Sequence, residues 1–305
     1  MKISVCISKT FKNLFDPDVL KVVFILSIPV FAFYVGALFL FWDQIIYFVS
    51  NLIFWIPFSV LKLNGAFFIM FFLWFISVVV TFAIISAIFS PLFLNKANEK
   101  IHYLYVISSI LFFSIFYAFI FINNWDFIYF EIQKLLTILP FDTVSKTVSA
   151  ILSIYVFYNF FILTLFILVF FFAKPFLEAI KDVEYPDVEI NSDRTLGFKR
   201  ILLKDVLIFL IFFVLLFPLF FIPVVNVLVP LLLWTKLYHD SFLYFVCNEY
   251  CFGETLKKLE ENRLKTLFLA SIAASFNFLP IINFFAPFFA IILFFHCVMQ
   301  LQTSV

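Results

Sequence analysis

Two stretches of the chain, Ile222-Pro223-Val224-Val225-Asn226-Val227-Leu228-Val229-Pro230 and Leu279-Pro280-Ile281-Ile282-Asn283-Phe284-Phe285-Ala286-Pro287, repeat the pattern P-x-x-N-x-x-x-P at an offset of 57 residues. Proline lacks the amide hydrogen that a helix interior needs, so each copy breaks any helix that runs through it. An asparagine three residues after the first proline can cap the helix that follows. The repeat therefore predicts two similar helix breaks, each with its own asparagine.

Each copy lies in the middle of a long apolar block, at residues 206–246 and 266–299. In the second block the arm from Thr266 to Leu279 has 14 residues, which reach about 21 Å as a helix. A bilayer has about 30 Å of hydrocarbon, and apolar segments of this shorter length are typical of re-entrant or interfacial helices. We therefore expect two re-entrant helical hairpins, although two closely spaced full crossings in each block would fit the same pattern.

Four further apolar stretches are long enough to cross a membrane, at residues 22–42, 66–93, 103–122 and 148–173. The chain is 65% hydrophobic and only 13% charged, whereas a soluble domain carries about 25% charged residues. The sequence predicts an all-α polytopic membrane protein with about four transmembrane helices and two proline-broken re-entrant hairpins. We expect residues 1–305 to form a single integral membrane domain.

The distribution of basic residues predicts the orientation. Of the 20 lysines and arginines, 16 lie in the N-terminal segment and in segments 94–102, 174–205 and 247–265. Four crossings and two same-side hairpins place all four segments on one face, which is cytoplasmic by the positive-inside rule. Both termini are then predicted to be cytoplasmic.

The two repeated tips allow a structural and a functional interpretation. In the first, the prolines and asparagines only fold the tips. In the second, the tips meet and line a polar pathway, because repeated broken helices at a shared site build many transporters. The candidate pathway residues are Pro223, Asn226, Pro230, Pro280, Asn283 and Pro287.

Two other groups of polar residues are open to more than one interpretation. Lys21, with Lys12, lies near the start of the first crossing and is a candidate anion-binding residue, or else a positive-inside anchor. His239-Asp240 is either an ion-pair switch or part of the membrane surface. In the second case Trp234, Tyr238 and Tyr244 form an interfacial aromatic belt around it.

The sequence lacks the motifs of nucleotide hydrolysis, zinc proteolysis and serine hydrolysis. Its histidines and cysteines have no metal-ligand spacing. We therefore expect no catalytic residue, no metal and no cofactor, and the net charge of +1 predicts no nucleic-acid partner.

The hairpin blocks Phe217–Asn226 and Leu279–Pro287 resemble the corresponding hairpins of the CysZ-type sulfate permeases, which belong to the etoposide-induced-protein domain group. The join Lys174-Pro175-Phe176 and the segment Leu14–Lys21 are also similar to that family. The resemblance is good over about 148–300 and weak over the divergent helices of 1–147.

This resemblance implies long membrane helices with two hemi-penetrating hairpins, a homo-oligomer, and a place in the bacterial inner membrane. It also implies sulfate uptake in the best-known branch. Where the family has a Gly-Leu-Arg segment that is thought to bind the oxyanion, this chain reads Asp18-Val19-Leu20-Lys21. Lys21 keeps one positive charge there, without the planar fork of arginine.

Two functions remain in competition. The first is an inner-membrane permease for a small inorganic anion, sulfate by resemblance, with a polar path between the tips. The second is a non-transporting membrane scaffold or assembly protein, which predicts a dry interior packed with phenylalanine and a partner at segment 174–205. Neither is an enzyme.

Overall fold

The fold is all-helical in the part of the chain that the computed structural model describes, with no strand there. The described residues are 2–53, 58–93, 99–138, 141–188, 198–222, 224–251, 255, 258–259, 261–279 and 281–302. Pro223 and Pro280 of the repeated motif lie outside them. The predicted all-α polytopic class is confirmed.

The chain starts with a short helix and a long apolar one, α1 (Ile3–Leu14) and α2 (Pro17–Leu40). The corner between them follows from Asp16-Pro17, because the Asp16 side chain accepts a hydrogen bond from the Asp18 amide at 3.0 Å and Pro17 is the first helical residue. Helix α1 has one apolar face, and this face packs along the last helix of the chain.

Four helices of the N-terminal half lie on one side of a long helix, two of them against it and two in an outer layer. They are α3 (Trp42–Ile53), α4 (Phe58–Phe93), α5 (Glu99–Asn123) and α6 (Trp125–Ile138). The long helix is α7 (Phe141–Glu184), which α2, α3 and α4 contact directly, while α5 and α6 pack on α4. Many apolar side chains of α5 and α6 are exposed, such as Ile115 at 69% and Phe127 at 71%, as expected of a surface that faces lipid.

Among the described residues, three helical stretches are long and apolar enough to cross a membrane, namely Pro17–Leu40, Gly65–Ile85 and Lys146–Glu184. A fourth is possible if Ser108–Asn123 and Trp125–Ile138, which meet at a 75° bend, count as one broken span. The three overlap the crossings predicted at 22–42, 66–93 and 148–173, and the bent pair begins within the one predicted at 103–122. The crossing predicted at 103–122 ends at this bend, because the chain turns sharply at Asn124.

The first predicted hairpin consists of α8 (Phe198–Leu215), a 3₁₀ turn (Phe217–Phe221) and α9 (Val225–Leu237), and α8 packs on α9. After α9 the chain continues through one π-helical turn (Tyr238–Phe242) into α10 (Leu243–Tyr250). The second predicted hairpin consists of α11 (Arg263–Ser275), two 3₁₀ turns (Phe276–Phe278 and Ile282–Phe284) and α12 (Ala286–Gln302). The two hairpins pack on each other through α9 and α11.

Helix α12 is the centre of the molecule. Every residue from Ala286 to Met299 is buried, and most of these residues are large and apolar. Helices α1, α7, α10 and α11 cover it on different sides. The second hairpin is therefore part of the protein core, while the outer arm of the first, α8, exposes apolar side chains such as Val214 at 70%.

Candidate functional site

The repeated motif forms the same backbone structure twice. Among the described residues, φ is positive outside glycine at two positions, Val224 (φ 71°, ψ −45°) and Ile281 (φ 65°, ψ −41°). These are equivalent positions in the two copies, each directly after the first proline. Positive φ is strained for a branched side chain. Both tips therefore store the same local strain.

Hydrogen bonds around the two strained residues also correspond, at distances that agree within 0.1 Å. In the first copy the amides of Ile222, Asn226 and Val227 donate to the carbonyls of Leu219, Ile222 and Val224, at 3.1, 3.0 and 3.1 Å. In the second copy the amides of Leu279, Asn283 and Phe284 donate to the carbonyls of Phe276, Leu279 and Ile281, at 3.2, 3.1 and 3.2 Å. The sequence repeat is thus a structural repeat.

Beyond these bonds the two copies differ. Helix α9 begins at Val225, directly after the strained residue, so Pro230 lies inside the helix. The second copy first makes a 3₁₀ turn, so Pro287 falls in the first turn of α12, where its missing amide hydrogen costs nothing. Both prolines are buried.

The tips of both hairpins contact the same two turns of α7. The ring of Tyr155 packs edge-on against Phe220 of the first tip, with 6.1 Å between centroids. The ring of Phe161 packs against Phe284 of the second tip at 5.3 Å. These turns are the middle of the crossing that the sequence predicts at residues 148–173.

A small set of uncharged polar side chains lies at this meeting point, and we call it the tip cluster: Tyr158, Tyr238, Asn277 and Asn283. The Tyr238 hydroxyl donates to Asn277 Oδ1 at 2.9 Å, and the Tyr158 hydroxyl donates to the Asn277 backbone carbonyl. The tip cluster therefore joins α7 and the second tip to the π-helical turn that follows α9.

Both predicted asparagines are buried at 4% exposure, one in each tip. Asn283 Oδ1 accepts a hydrogen bond from the Phe284 amide at 3.1 Å, which is a capping role inside its own turn. The structure brings the two tips to one helix, and the side chain of Asn277, beside the second tip, bonds Tyr238 of the π-helical turn that follows α9. A lone asparagine in Phe276-Asn277-Phe278 carries no motif, so the sequence offered only its polarity in an apolar block as a signal.

The predicted aromatic belt is wrong for two of its three members. Trp234 and Tyr238 are 1% and 0% exposed because they face α7 and not the membrane surface. The Trp234 indole donates to Asn159 Oδ1 at 3.1 Å, and the Asn159 amide donates to the Tyr155 carbonyl at 2.8 Å. This pair closes one side of the space between α7 and α9.

The candidate anion-binding residue Lys21 lies on the exposed first turn of α2. Its Nζ pairs with Asp18 Oδ1 at 3.2 Å, and both side chains are mostly exposed. Lys12 is elsewhere, paired with Glu184 Oε1 at 2.6 Å. The structure does not bring Lys12 and Lys21 together, and anion binding at Lys21 stays a prediction.

A second polar group ties the ends of the chain together, and we call it the terminal cluster: Lys9, Lys12, Asn13, Glu184, Tyr185 and His296. The His296 ring lies between Asn13 and Tyr185, at 2.9 and 3.0 Å. Glu184 pairs with Lys9 at 3.2 Å and with Lys12. Burial acts to lower the pKa of Lys9, but hydrogen bonds with Tyr185 and Glu184 outweigh it, so that pKa is raised.

A cavity of about 380 Å³ lies where the π-helical turn faces the start of α11. His239 lines it and bridges Asp240 and Thr266, with ring nitrogens 2.9 Å from Asp240 Oδ1 and 3.1 Å from Thr266 Oγ1. Asp240 is also paired with Lys236 at 2.6 Å. In the described part of the chain, no group of three or more His, Cys, Asp and Glu side chains could hold a metal ion.

Long apolar helices, buried broken tips and a cluster of neutral polar groups define this chain as a polytopic membrane protein with a polar site inside the helix bundle. Its sequence matches the family described as Sulfate transporter CysZ/Etoposide-induced protein 2.4 over residues 6–287, so the chain belongs to that family. The match takes in the N-terminal helices, the first hairpin, and the second hairpin as far as the start of α12. No curated protein and no solved structure matches the chain.

Proposed function

We propose that the protein is a permease, or a channel-like transporter, for a small inorganic anion, with sulfate as the first candidate. The anion passes between the tips of the two hairpins. The observation that carries this proposal is the convergence of two equally strained, proline-broken tips on the same two turns of α7. Membership of a sulfate-transporter family supports the substrate class.

The depth of the tips supports re-entrant hairpins. Helix α11 has 13 residues and reaches about 20 Å, too short to cross the hydrocarbon. Because both tips lie beside the middle of the 148–173 crossing, each hairpin enters and leaves on the same side in our proposal. Broken helices that meet near the midplane leave polar groups available to an ion.

The composition of the tip cluster favours a weakly coupled pathway. Its four side chains are two tyrosines and two asparagines, which are polar groups without a fixed charge. An ion must bind strongly enough to enter such a site and weakly enough to leave it. Neutral donors satisfy both conditions better than a buried arginine, which would hold an anion tightly.

The orientation is part of the same proposal. The Lys2 amide donates to Gln300 Oε1 at 2.8 Å, so the two terminal segments lie together at one end of the molecule. We place this end, with the terminal cluster, on the cytoplasmic face of a bacterial inner membrane. The homo-oligomer is proposed as well, because the exposed apolar faces of α5 and α6 fit a second copy as well as lipid.

The test is uptake of radiolabelled sulfate into proteoliposomes. We compare the wild type with the double variant Asn226→Leu, Asn283→Leu, and with the control Asn124→Leu, which changes an exposed asparagine at the α5–α6 bend. We expect flux in the wild type and in the control, and none in the double variant if it remains folded. Wild-type uptake equal to that of protein-free liposomes would contradict the proposal.

A scaffold function is the second candidate, and one observation favours it. Helix α12, which would form a wall of the pathway, is buried from Ala286 to Met299 and packed with phenylalanine. A dry interior of this kind is what a scaffold requires. Anion conduction by the purified protein without any partner would exclude a purely structural role.

A further inference from the structure

Asn277 has a hydrogen-bond donor that no residue in the described part of the chain uses. The residue is 1% exposed. Its backbone carbonyl accepts from Tyr158 and its Oδ1 accepts from Tyr238 at 2.9 Å, but its Nδ2 group has no partner there. A buried donor without a partner costs about 1–3 kcal/mol. A residue placed at this cost, deep in an apolar bundle, indicates that something outside the protein accepts its hydrogen bonds.

The repeat itself singles out Asn277. At the offset of 57 residues its counterpart in the first tip is Phe220, which is fully buried against Tyr155 and Phe213. Phenylalanine therefore satisfies the packing at this position of the first tip. In the second tip the Asn277 side-chain oxygen serves the buried Tyr238 hydroxyl, which leaves the NH₂ group as the part of the amide without a described partner.

The tyrosine hydroxyls hold the Asn277 amide in one orientation. Because Tyr238 donates to Oδ1, the NH₂ group points away from Tyr238. Tyr158, the other tyrosine bonded to Asn277, also lines a small cavity, with Phe278, Tyr155 and side chains of α4. This cavity measures about 90 Å³, room for about three waters, and apart from the two tyrosines its walls are phenylalanine and isoleucine side chains.

We propose that the Asn277 amide is a binding group for the transported anion, and that a partly dehydrated oxyanion accepts its Nδ2 hydrogen bonds at the tip cluster. Tyr238 is the positioning residue that holds the amide in place. This inference rests on the proposed permease function, and it assigns anion binding to a residue outside the repeated P-x-x-N-x-x-x-P motif. Asn283 then has the capping role, and Asn277 the ligand role.

The experiment measures sulfate uptake against sulfate concentration in proteoliposomes, for the wild type and three variants. Asn277→Asp keeps the size of the side chain and the acceptor for Tyr238, but replaces the NH₂ donor by an oxygen. Tyr238→Phe removes only the orienting hydroxyl. Asn159→Asp is the matched control, since it makes the same chemical change at a neighbouring asparagine whose amide is already bonded to the Tyr155 carbonyl.

We expect Asn277→Asp to raise the half-saturating sulfate concentration at least tenfold and Tyr238→Phe to raise it a few-fold. Asn159→Asp should lower thermal stability without moving this concentration. If Asn277→Asp does not fold, the shift in Tyr238→Phe decides the matter, because that change is conservative.

Wild-type flux with an unchanged half-saturating concentration in Tyr238→Phe and in any folded Asn277→Asp would overturn the role of Asn277, and would leave a structural water as the partner of Nδ2. No wild-type flux would overturn the permease proposal, and this inference with it. The two failures are therefore distinguishable in one set of measurements.

Discussion

Replacing Val224 by glycine should stabilise the protein, although glycine usually destabilises a folded chain. Val224 has φ 71° and ψ −45°, a conformation that glycine adopts freely. The left-handed region costs an L-residue about 1–2 kcal/mol, and the greater unfolded-state freedom of glycine returns about 0.5–1 kcal/mol of this. The Val224 side chain is 59% exposed, so little burial is lost. The difference between the two ranges is a net gain of about 0–1.5 kcal/mol, roughly 0.7 kcal/mol at its centre.

The assay is thermal unfolding of the purified protein in detergent, where a gain of this size raises Tm by about 2 °C. Val225→Gly is the control, because Val225 is the first residue of α9 and has ordinary helical geometry. There glycine should lower the stability by about 1 kcal/mol. Equal losses of Tm in Val224→Gly and Val225→Gly would refute the strain that we assign to the tip.

Two further predictions concern packing and charge outside the tips. A Cβ atom at Gly65 would lie 3.0 Å from a methyl group of Val148 on α7, whereas one at Gly36 would meet nothing within 4 Å. Gly65→Leu should therefore overpack this contact, reduce the free energy of unfolding by about 1–3 kcal/mol and lower the unfolding temperature, whereas Gly36→Leu should not. Similar melting curves for the two variants would contradict the α4–α7 contact. Glu184→Gln should destabilise the docking of α1 by roughly 1 kcal/mol, because it leaves two lysines of α1 without their carboxylate. Glu178→Gln, which removes an exposed pair at 4.0 Å, should change little, and limited proteolysis of α1 compares the two.

The sequence was sufficient for the helical class, for the positions of the crossings and for the two breaks, because long apolar runs and prolines act through local physics. It could not reveal the positive φ of Val224 and Ile281. Branched residues disfavour that conformation, and only the surrounding tertiary contacts impose it. Nor could it show that α12, the helix after the second break, is the most deeply buried of the described helices. A segment that faces lipid and one that lies in a protein core are equally apolar, so hydropathy does not distinguish them.

The candidate site was predicted in part for a similar reason. Hydropathy places Trp234 and Tyr238 near the end of an apolar block, where an interfacial belt is the usual arrangement. Which face of a helix meets another helix depends on packing, and here both rings turn inward. Tyr238 stacks on Phe166 of α7, while Trp234 packs on Phe209 of α8 and donates to Asn159 of α7. Asn277 was missed because a sequence repeat reveals the residues that its two copies share. Asn277 is a position at which the two copies differ, since its counterpart is Phe220.

That difference separates folding roles from binding roles at the tips. A broken helix in a bilayer must find partners for its freed polar groups, and Asn283 supplies one within its own turn. That bond engages the side-chain oxygen of Asn283, which accepts from the Phe284 amide. Asn277 accepts two hydrogen bonds from tyrosines and still has both of its amide hydrogens to give. Because a transport site needs donors that folding has not already used, the unshared asparagine is a better candidate for the ion contact than the shared ones.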